Sequence, residues 1–231
     1  MPAKNSRKEY LENGYYHIYN RGVEKRKIFM DRQDYVVFLG YLKEYLTQKD
    51  EKFLNQMLSD ETSSPNEKAK ATSLLRMNNF SNEVGLLAYC LMPNHFHLLI
   101  KQKSAGSMDK FMNSIGTRYT MYFNKRYKRV GKLYQGVYKA ALVNSENQFL
   151  YLSKYIHRQA LASKGVAFKG DAFQQDQPCS FMEYLGERKA DWIKFSEILS
   201  FFSKSNPKLS YKEFVLEEAN FDFIKDVLLE N

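Results

Sequence analysis

The chain has 231 residues, of which 44% are hydrophobic, so it is long and apolar enough to fold around a sizeable core. Its 35 basic and 26 acidic residues give a formal net charge of +9, which favours a polyanionic partner, either nucleic acid or an acidic membrane surface. Aromatic residues make up 15% of the chain and favour nucleic acid over an acidic membrane surface, because unpaired bases stack on such rings.

The cysteines and the first residues of the chain indicate the compartment. Cys90 and Cys179 are far apart in sequence, which predicts neither a disulfide framework nor a zinc ribbon. Residues 1–9 lack the apolar centre of a signal peptide, and no apolar run is long enough for a membrane span. We therefore expect a soluble cytoplasmic protein with no membrane partner.

The first predicted strand, residues 15–19, is aromatic and β-branched and ends at an Asn-Arg-Gly turn. His17 in this strand is either a metal ligand or a histidine packed within the sheet, and the second interpretation is favoured. A core-packing helix follows, capped by Asp31 or Asp34. The polar stretch at about 48–82 is predicted to be a loop insertion with one short helix.

Two apolar strands, predicted over residues 84–91 and 95–101, are joined by a Pro-Asn turn and form a hairpin. Side chains alternate along a strand, so His95 and His97 point to the same face, about 6–7 Å apart. Two imidazoles at this spacing can hold one divalent metal ion. Paired histidines also occur as exposed polar residues on a half-buried sheet. The pair alone therefore does not distinguish a metal site from two exposed polar side chains.

A long helix is predicted from Ser107 to about Gly131. One face carries basic residues interleaved with aromatic residues, and such a face is either simply solvated or follows the phosphates of a nucleic acid. The residues of this region that we take as candidate nucleic-acid contacts are Arg118, Lys125, Arg126 and Arg129.

A fourth strand is predicted over residues 133–143, and the helix after it begins with a capping box. This helix carries Tyr151, Tyr155 and Gln159 at intervals of four residues, so the three side chains share one face. It therefore offers a nucleophile and a third metal ligand. The alternative for Tyr155 is an amphipathic residue that packs its ring and leaves its hydroxyl in water.

Four sequence motifs, taken in the order in which they occur along the chain, resemble those of the single-tyrosine HUH transposases, particularly the REP-associated tyrosine transposases (RAYT). The stretches that carry the resemblance are Tyr16-His17-Ile18-Tyr19-Asn20-Arg21-Gly22, Met92-Pro93-Asn94-His95-Phe96-His97-Leu98, Gly131-Lys132-Leu133-Tyr134-Gln135-Gly136 and Lys154-Tyr155-Ile156-His157-Arg158-Gln159. The resemblance places a transposase domain at residues 1–165 and a helical C-terminal extension at 166–231, whose last helix is acidic.

The resemblance implies an α+β fold, a ferredoxin-like antiparallel sheet with helices mainly on one face. It also implies that His95, His97 and Gln159 hold Mg²⁺ or Mn²⁺ beside the catalytic Tyr155. The expected activity is cleavage and rejoining of single-stranded DNA that carries hairpins, through a 5′-phosphotyrosine intermediate. Members of this family occur as homodimers and as monomers, so both states are compatible with the sequence.

Tyr151 is a competing nucleophile one helical turn before Tyr155. Tyr155 is preferred because Gln159 lies four residues beyond it, where the family pattern places the helical ligand. Arg21 and Lys154 are further candidate phosphate contacts.

Two other functions are also compatible with these residues. One is a host-retained module that binds single-stranded DNA or RNA hairpins without cutting them. The other is a metal-dependent nuclease in which water attacks and Tyr155 only positions the DNA. A zinc site that combines Cys90 with the histidines fits no common ligand spacing.

Overall fold

The computed structural model describes residues 10–162 and 177–229. The predicted boundary between the transposase domain and the C-terminal extension, at residue 165, lies outside the described residues. In the described part of the chain, no helix combines the length and the apolar character that crossing a membrane requires.

Four antiparallel strands form one sheet in the order β2-β3-β1-β4. The strands are β1 (Tyr15–Arg21), β2 (Val84–Met92), β3 (His95–Gln102) and β4 (Lys139–Val143). Helical connections join β1 to β2 and β3 to β4, which with this strand order gives the ferredoxin-like arrangement. The predicted α+β fold class is confirmed. The fourth strand begins at Lys139 and not at residue 133 as predicted.

Five longer helices and several short ones accompany the sheet. The helices are α1 (Arg32–Leu46), α2 (Glu51–Ser59), α3 (Pro65–Arg76), α4 (Ser107–Arg126), α5 (Glu146–Ala162), α6 (Phe181–Tyr184), α7 (Ser196–Leu199) and α8 (Tyr211–Leu216). Single 3₁₀ turns lie at Val23–Lys25, Pro207–Leu209 and Asp222–Ile224. The insertion at 48–82 thus contains two helices, α2 and α3, where the sequence predicted one.

The sheet separates two apolar cores, because alternate side chains of each strand point to opposite faces. Tyr16 and Ile18 of β1 point to the first core, where α1 and α4 pack. Tyr19 points to the second core, which α5 and the C-terminal extension complete. The two helices of the ferredoxin-like unit therefore share one face, as predicted, and the later elements cover the other.

A β-bulge in β2 changes which side chains reach the second core. The pairing of β2 with β3 shifts between Leu86 and Ala88, so the alternation moves by one residue at this point. As a result Ala88 and Cys90 belong to the α5 side, whereas Leu86 belongs to the α1 side.

The turn between β2 and β3 is held by the segment that follows β1. The carbonyl oxygen of Pro93 accepts hydrogen bonds from the N–H groups of Ile28 and Phe29, and that of Asn94 accepts one from Gly22. A Cβ at Gly22 would lie 2.2 Å from the nearest backbone carbonyl oxygen, so only glycine fits. These bonds set the position at which β3 begins.

A buried carboxylate joins α1 to the end of α4. Asp34 has no exposed surface and accepts hydrogen bonds from the backbone N–H of Met30 and from the hydroxyls of Tyr122 and Tyr127. Its Oδ1 also lies 2.7 Å from Nη1 of Arg126. Four donors thus surround this buried carboxylate. Burying a charge costs free energy unless hydrogen bonds and an opposite charge compensate for the lost water.

Replacing Asp34 by Asn should therefore lower the free energy of unfolding by about 2–4 kcal/mol, because it removes the charge that these donors satisfy. The matched control is Asp31→Asn, which also faces Arg126 but is exposed and should cost much less. Urea unfolding followed by circular dichroism measures both. Equal losses in the two variants would contradict the role given to the buried carboxylate.

Candidate active site

Three of the four histidines of the chain meet on the sheet face that α5 covers. In the pairing of β1 with β3, Tyr19 lies opposite His97 and Arg21 lies opposite His95. The ring centroids of His95 and His97 are 5.1 Å apart, and those of His17 and His97 are also 5.1 Å apart. We refer to His17, His95 and His97 as the histidine cluster.

Helix α5 brings Tyr155 against this cluster. The ring centroid of Tyr155 lies 5.7 Å from that of His97 and 6.3 Å from that of His17, in edge-on geometry. The fold thus places the predicted nucleophile beside one of the predicted metal ligands, although the two residues come from separate elements.

Tyr151, the competing nucleophile, faces the C-terminal extension. Its ring centroid lies 5.2 Å from that of Phe214 and 4.7 Å from that of Phe223. Of the two tyrosines, Tyr155 is therefore the one with ring contacts to the histidine cluster in the described structure.

The hydrogen bonds of His17 determine which nitrogen of His97 carries a proton. His17 Nδ1 lies 2.5 Å from the carbonyl oxygen of Val227, which can only accept, so this nitrogen donates. In neutral His17 the lone pair is then on Nε2, which accepts a hydrogen bond from His97 Nδ1 at 2.9 Å. The lone pair of neutral His97 is consequently on Nε2, which is buried.

Asn94 holds His95 in the same tautomer. The Nδ2 of Asn94 donates to the carbonyl oxygen of Lys25 at 3.2 Å, which orients the amide so that Oδ1 lies 2.6 Å from His95 Nδ1. Nδ1 therefore donates, and the lone pair of neutral His95 is on Nε2, which is also buried. A histidine that binds a metal through one nitrogen usually donates a hydrogen bond from the other, so both imidazoles have the arrangement of metal ligands.

The donor chemistry of these residues fits a divalent metal ion. Gln159 lies one helical turn beyond Tyr155 on α5, and its side-chain amide has an oxygen of the kind that binds divalent metal ions. Imidazole ligands suit Mn²⁺ better than Mg²⁺, which prefers oxygen. Among the described residues, no group of three or more His, Cys, Asp or Glu side chains is arranged to hold a metal ion. Further ligands would come from Gln159, water or the substrate.

Two candidate phosphate contacts lie on the Tyr155 side of the sheet. Arg21 ends β1 opposite His95, and its Nε donates to Oε1 of Gln135 at 2.5 Å. Lys154 is only 1% exposed, and its Nζ lies 4.7 Å from the ring centroid of Phe214 in α8. Burial lowers the pKa of Lys154. In this structure Lys154 therefore has almost no surface that a phosphate could contact.

The other four candidate contacts lie on or just after α4, which packs against the opposite face of the sheet. Arg118 and Arg126 each form an ion pair with a carboxylate of α1. Lys125 is exposed, and Arg129 is partly buried. The fold therefore does not bring these four residues to Tyr155, and any contact they make with DNA would be remote from the reacting phosphate.

The C-terminal extension covers the site from outside. The ring centroid of Phe221 lies 5.5 Å from that of Tyr155, and Lys139 Nζ donates to the carbonyl oxygen of Leu229 at 3.2 Å. The sequence predicted one long acidic helix here, but α8 ends at Leu216 and a 3₁₀ turn follows at Asp222–Ile224. Because the helix ends at Leu216, the residues after it can fold back over α5.

Buried His157 attaches α5 to this extension. Its Nδ1 lies 2.7 Å from the hydroxyl of Tyr211, and its Nε2 lies 2.8 Å from Oγ of Ser180. Burial lowers the pKa of His157 to about 3, so the imidazole is neutral at neutral pH. Both ring nitrogens of His157 are hydrogen-bonded to the C-terminal extension, so this histidine serves to hold α5 and the extension together.

The chain resembles one protein family and several solved structures. No curated protein matches the sequence. A solved structure described as "Structure of the REP associates tyrosine transposase bound to a REP hairpin" aligns with 82% of this chain and 93% of that chain, with 11% sequence identity and a TM-score of 0.48.

The family model described as "Transposase IS200 like" matches residues 64–159. This range includes His95, His97, Tyr155 and Gln159, whereas His17 lies before it. The match confirms the resemblance predicted from the motifs: over residues 64–159, this chain is similar to the IS200-like transposases.

Proposed function

We propose that the chain is a metal-dependent tyrosine transposase, which cleaves and rejoins single-stranded DNA carrying hairpins. The observation that carries the proposal is the contact of Tyr155 with His97, in a cluster whose hydrogen bonds leave Nε2 of both predicted ligands with a lone pair. A structural tyrosine at this position would need no histidines oriented in this way.

In the proposed reaction the hydroxyl oxygen of Tyr155 attacks the scissile phosphorus. The new bond joins this oxygen to the 5′ phosphate, the bond from phosphorus to the 3′ oxygen breaks, and the tyrosine proton ends on the released 3′-OH. Attack of a 3′-OH on the phosphotyrosine reverses these changes and joins two strands. The phosphodiester energy is conserved, which suits strand transfer better than hydrolysis.

The neighbours of Tyr155 would orient the reacting groups. A metal ion bound by His95, His97 and Gln159 would supply Lewis-acid stabilisation of the phosphate charge. His17 and Asn94 hold the two imidazoles in the ligating tautomer through their hydrogen bonds. Arg21 lies opposite His95 in the sheet, and its positive charge would attract a nearby phosphate.

The charge distribution supports a nucleic-acid partner. The formal net charge of +9 provides long-range attraction to a polyanion. The basic residues around α4 lie across the sheet from Tyr155, so we assign them to backbone phosphates of a hairpin at a distance from the cleavage point. Both a monomer and a homodimer are compatible with this assignment.

Purified protein incubated with end-labelled single-stranded hairpin DNA and Mn²⁺ should give a covalent adduct on a denaturing protein gel. Tyr155→Phe should abolish the adduct, because phenylalanine has no nucleophilic oxygen. Tyr151→Phe is the matched control, since it removes a hydroxyl one turn away on the same helix, and it should keep the adduct. A chelator should abolish the adduct both in the wild type and in Tyr151→Phe.

Other outcomes of this experiment favour other functions. Cleavage with no adduct would identify water as the nucleophile and the chain as a metallonuclease. Tight binding with neither cleavage nor adduct, over a wide set of hairpins, would favour a retained binding module. An adduct lost in Tyr151→Phe and kept in Tyr155→Phe would reverse the assignment of the nucleophile.

His17→Phe should weaken Mn²⁺ binding by about 10–100-fold, because it removes the acceptor that orients His97. Titration followed by electron paramagnetic resonance measures this affinity without DNA. Cys90→Ser is the control on the same face of the sheet and should leave the affinity unchanged, whereas His97→Phe should eliminate binding. Equal affinities of wild type and His17→Phe would show that His17 only packs in the core.

A further inference from the structure

Cys90 and Cys179, the two cysteines of the chain, face each other across neighbouring extended segments. The N–H groups of Leu91 and Ser180 each donate to a carbonyl of the opposite segment, at 2.9 and 3.0 Å. The cysteines lie between these two hydrogen bonds and make none with each other's backbone. This pattern defines a non-hydrogen-bonded pair of an antiparallel ladder.

Such pairs bring side chains closer together than any other position in a sheet. Their Cα atoms are typically about 4.5 Å apart, and native disulfides span Cα separations of about 4.4–6.8 Å. Both cysteine side chains also belong to the core on the α5 side of the sheet, so they point the same way. The β-bulge after Leu86 is what turns Cys90 to this side.

We propose that Cys90 and Cys179 form an intramolecular disulfide when the protein meets a thiol oxidant. With glutathione disulfide, the thiolate of one cysteine attacks a glutathione sulfur, which forms a mixed disulfide and releases one glutathione. The thiolate of the other cysteine then attacks the protein sulfur of this mixed disulfide and releases the second glutathione. Two thiols are oxidised and one glutathione disulfide is reduced, so the exchange balances.

The bond would tie the beginning of the C-terminal extension to the strand beside the histidine cluster. Cys90 lies opposite His97 in the pairing of β2 with β3. Ser180, next to Cys179, is hydrogen-bonded to His157 of α5. The disulfide would therefore join β2 covalently to a segment that already contacts α5, and it would stabilise the folded chain. This inference does not depend on the proposed function.

The test compares the equilibrium constant for disulfide formation in the folded chain and in concentrated urea, with glutathione redox buffers as the probe. Both cysteines are fully buried, so exchange is slow and equilibrium must be approached from the reduced and from the oxidised protein. The oxidised chain is lighter by two hydrogen atoms, and its tryptic peptides 77–101 and 170–188 are joined. Cys90→Ser and Cys179→Ser should each give only a mixed disulfide with glutathione.

The folded chain should favour the disulfide at least about tenfold more than the unfolded chain, because the fold already holds the two thiols together. By linkage, oxidation should stabilise the fold by the same factor. An equal or smaller equilibrium constant in the folded chain would overturn the proposal. The proposal would also be overturned if oxidation joined two chains into covalent dimers and did not join the two peptides within one chain.

Discussion

The antiparallel register between β1 and β3 is the constraint on which the whole candidate site depends. It places His17 diagonally beside His97 and turns the histidine cluster toward α5. Because side chains alternate, a slip of one residue would move the histidines to the core under α1 and α4. The glycine at position 22 and the Pro-Asn turn prevent such a slip, since their backbone hydrogen bonds fix the start of β3.

The C-terminal extension takes part in the same arrangement. The carbonyl of Val227 sets the tautomer of His17, which in turn sets that of His97. His157 and Tyr211 attach the extension to α5, and Phe221 covers Tyr155. The residues that orient His97 therefore come from opposite ends of the chain, since His17 lies in β1 and Val227 lies in the C-terminal extension.

Much of the fold follows from the sequence, because strong alternation and helical periodicity identify β1, the hairpin, α4 and α5. The function of His17 could not be predicted, since its partner Val227 is 210 residues away and belongs to a segment with weak local signals. Lys154 illustrates a second limit: its charge suggests a phosphate contact, but α8 buries it. Arg126 illustrates a third, since the buried carboxylate that pairs with it lies on another helix. Periodicity locates a side chain on its own element and does not identify its partner.

The central claim is that hydrogen bonds hold His95 and His97 with protons on Nδ1 and lone pairs on Nε2. Long-range ¹⁵N–¹H correlation spectra report the protonated nitrogen of each ring, and the chain has only four histidines to assign. At about pH 8, where an ordinary imidazole is neutral, both rings should carry the proton on Nδ1, and added Mn²⁺ should broaden their signals first. A proton on Nε2 of either ring, or signals unaffected by Mn²⁺, would contradict the account.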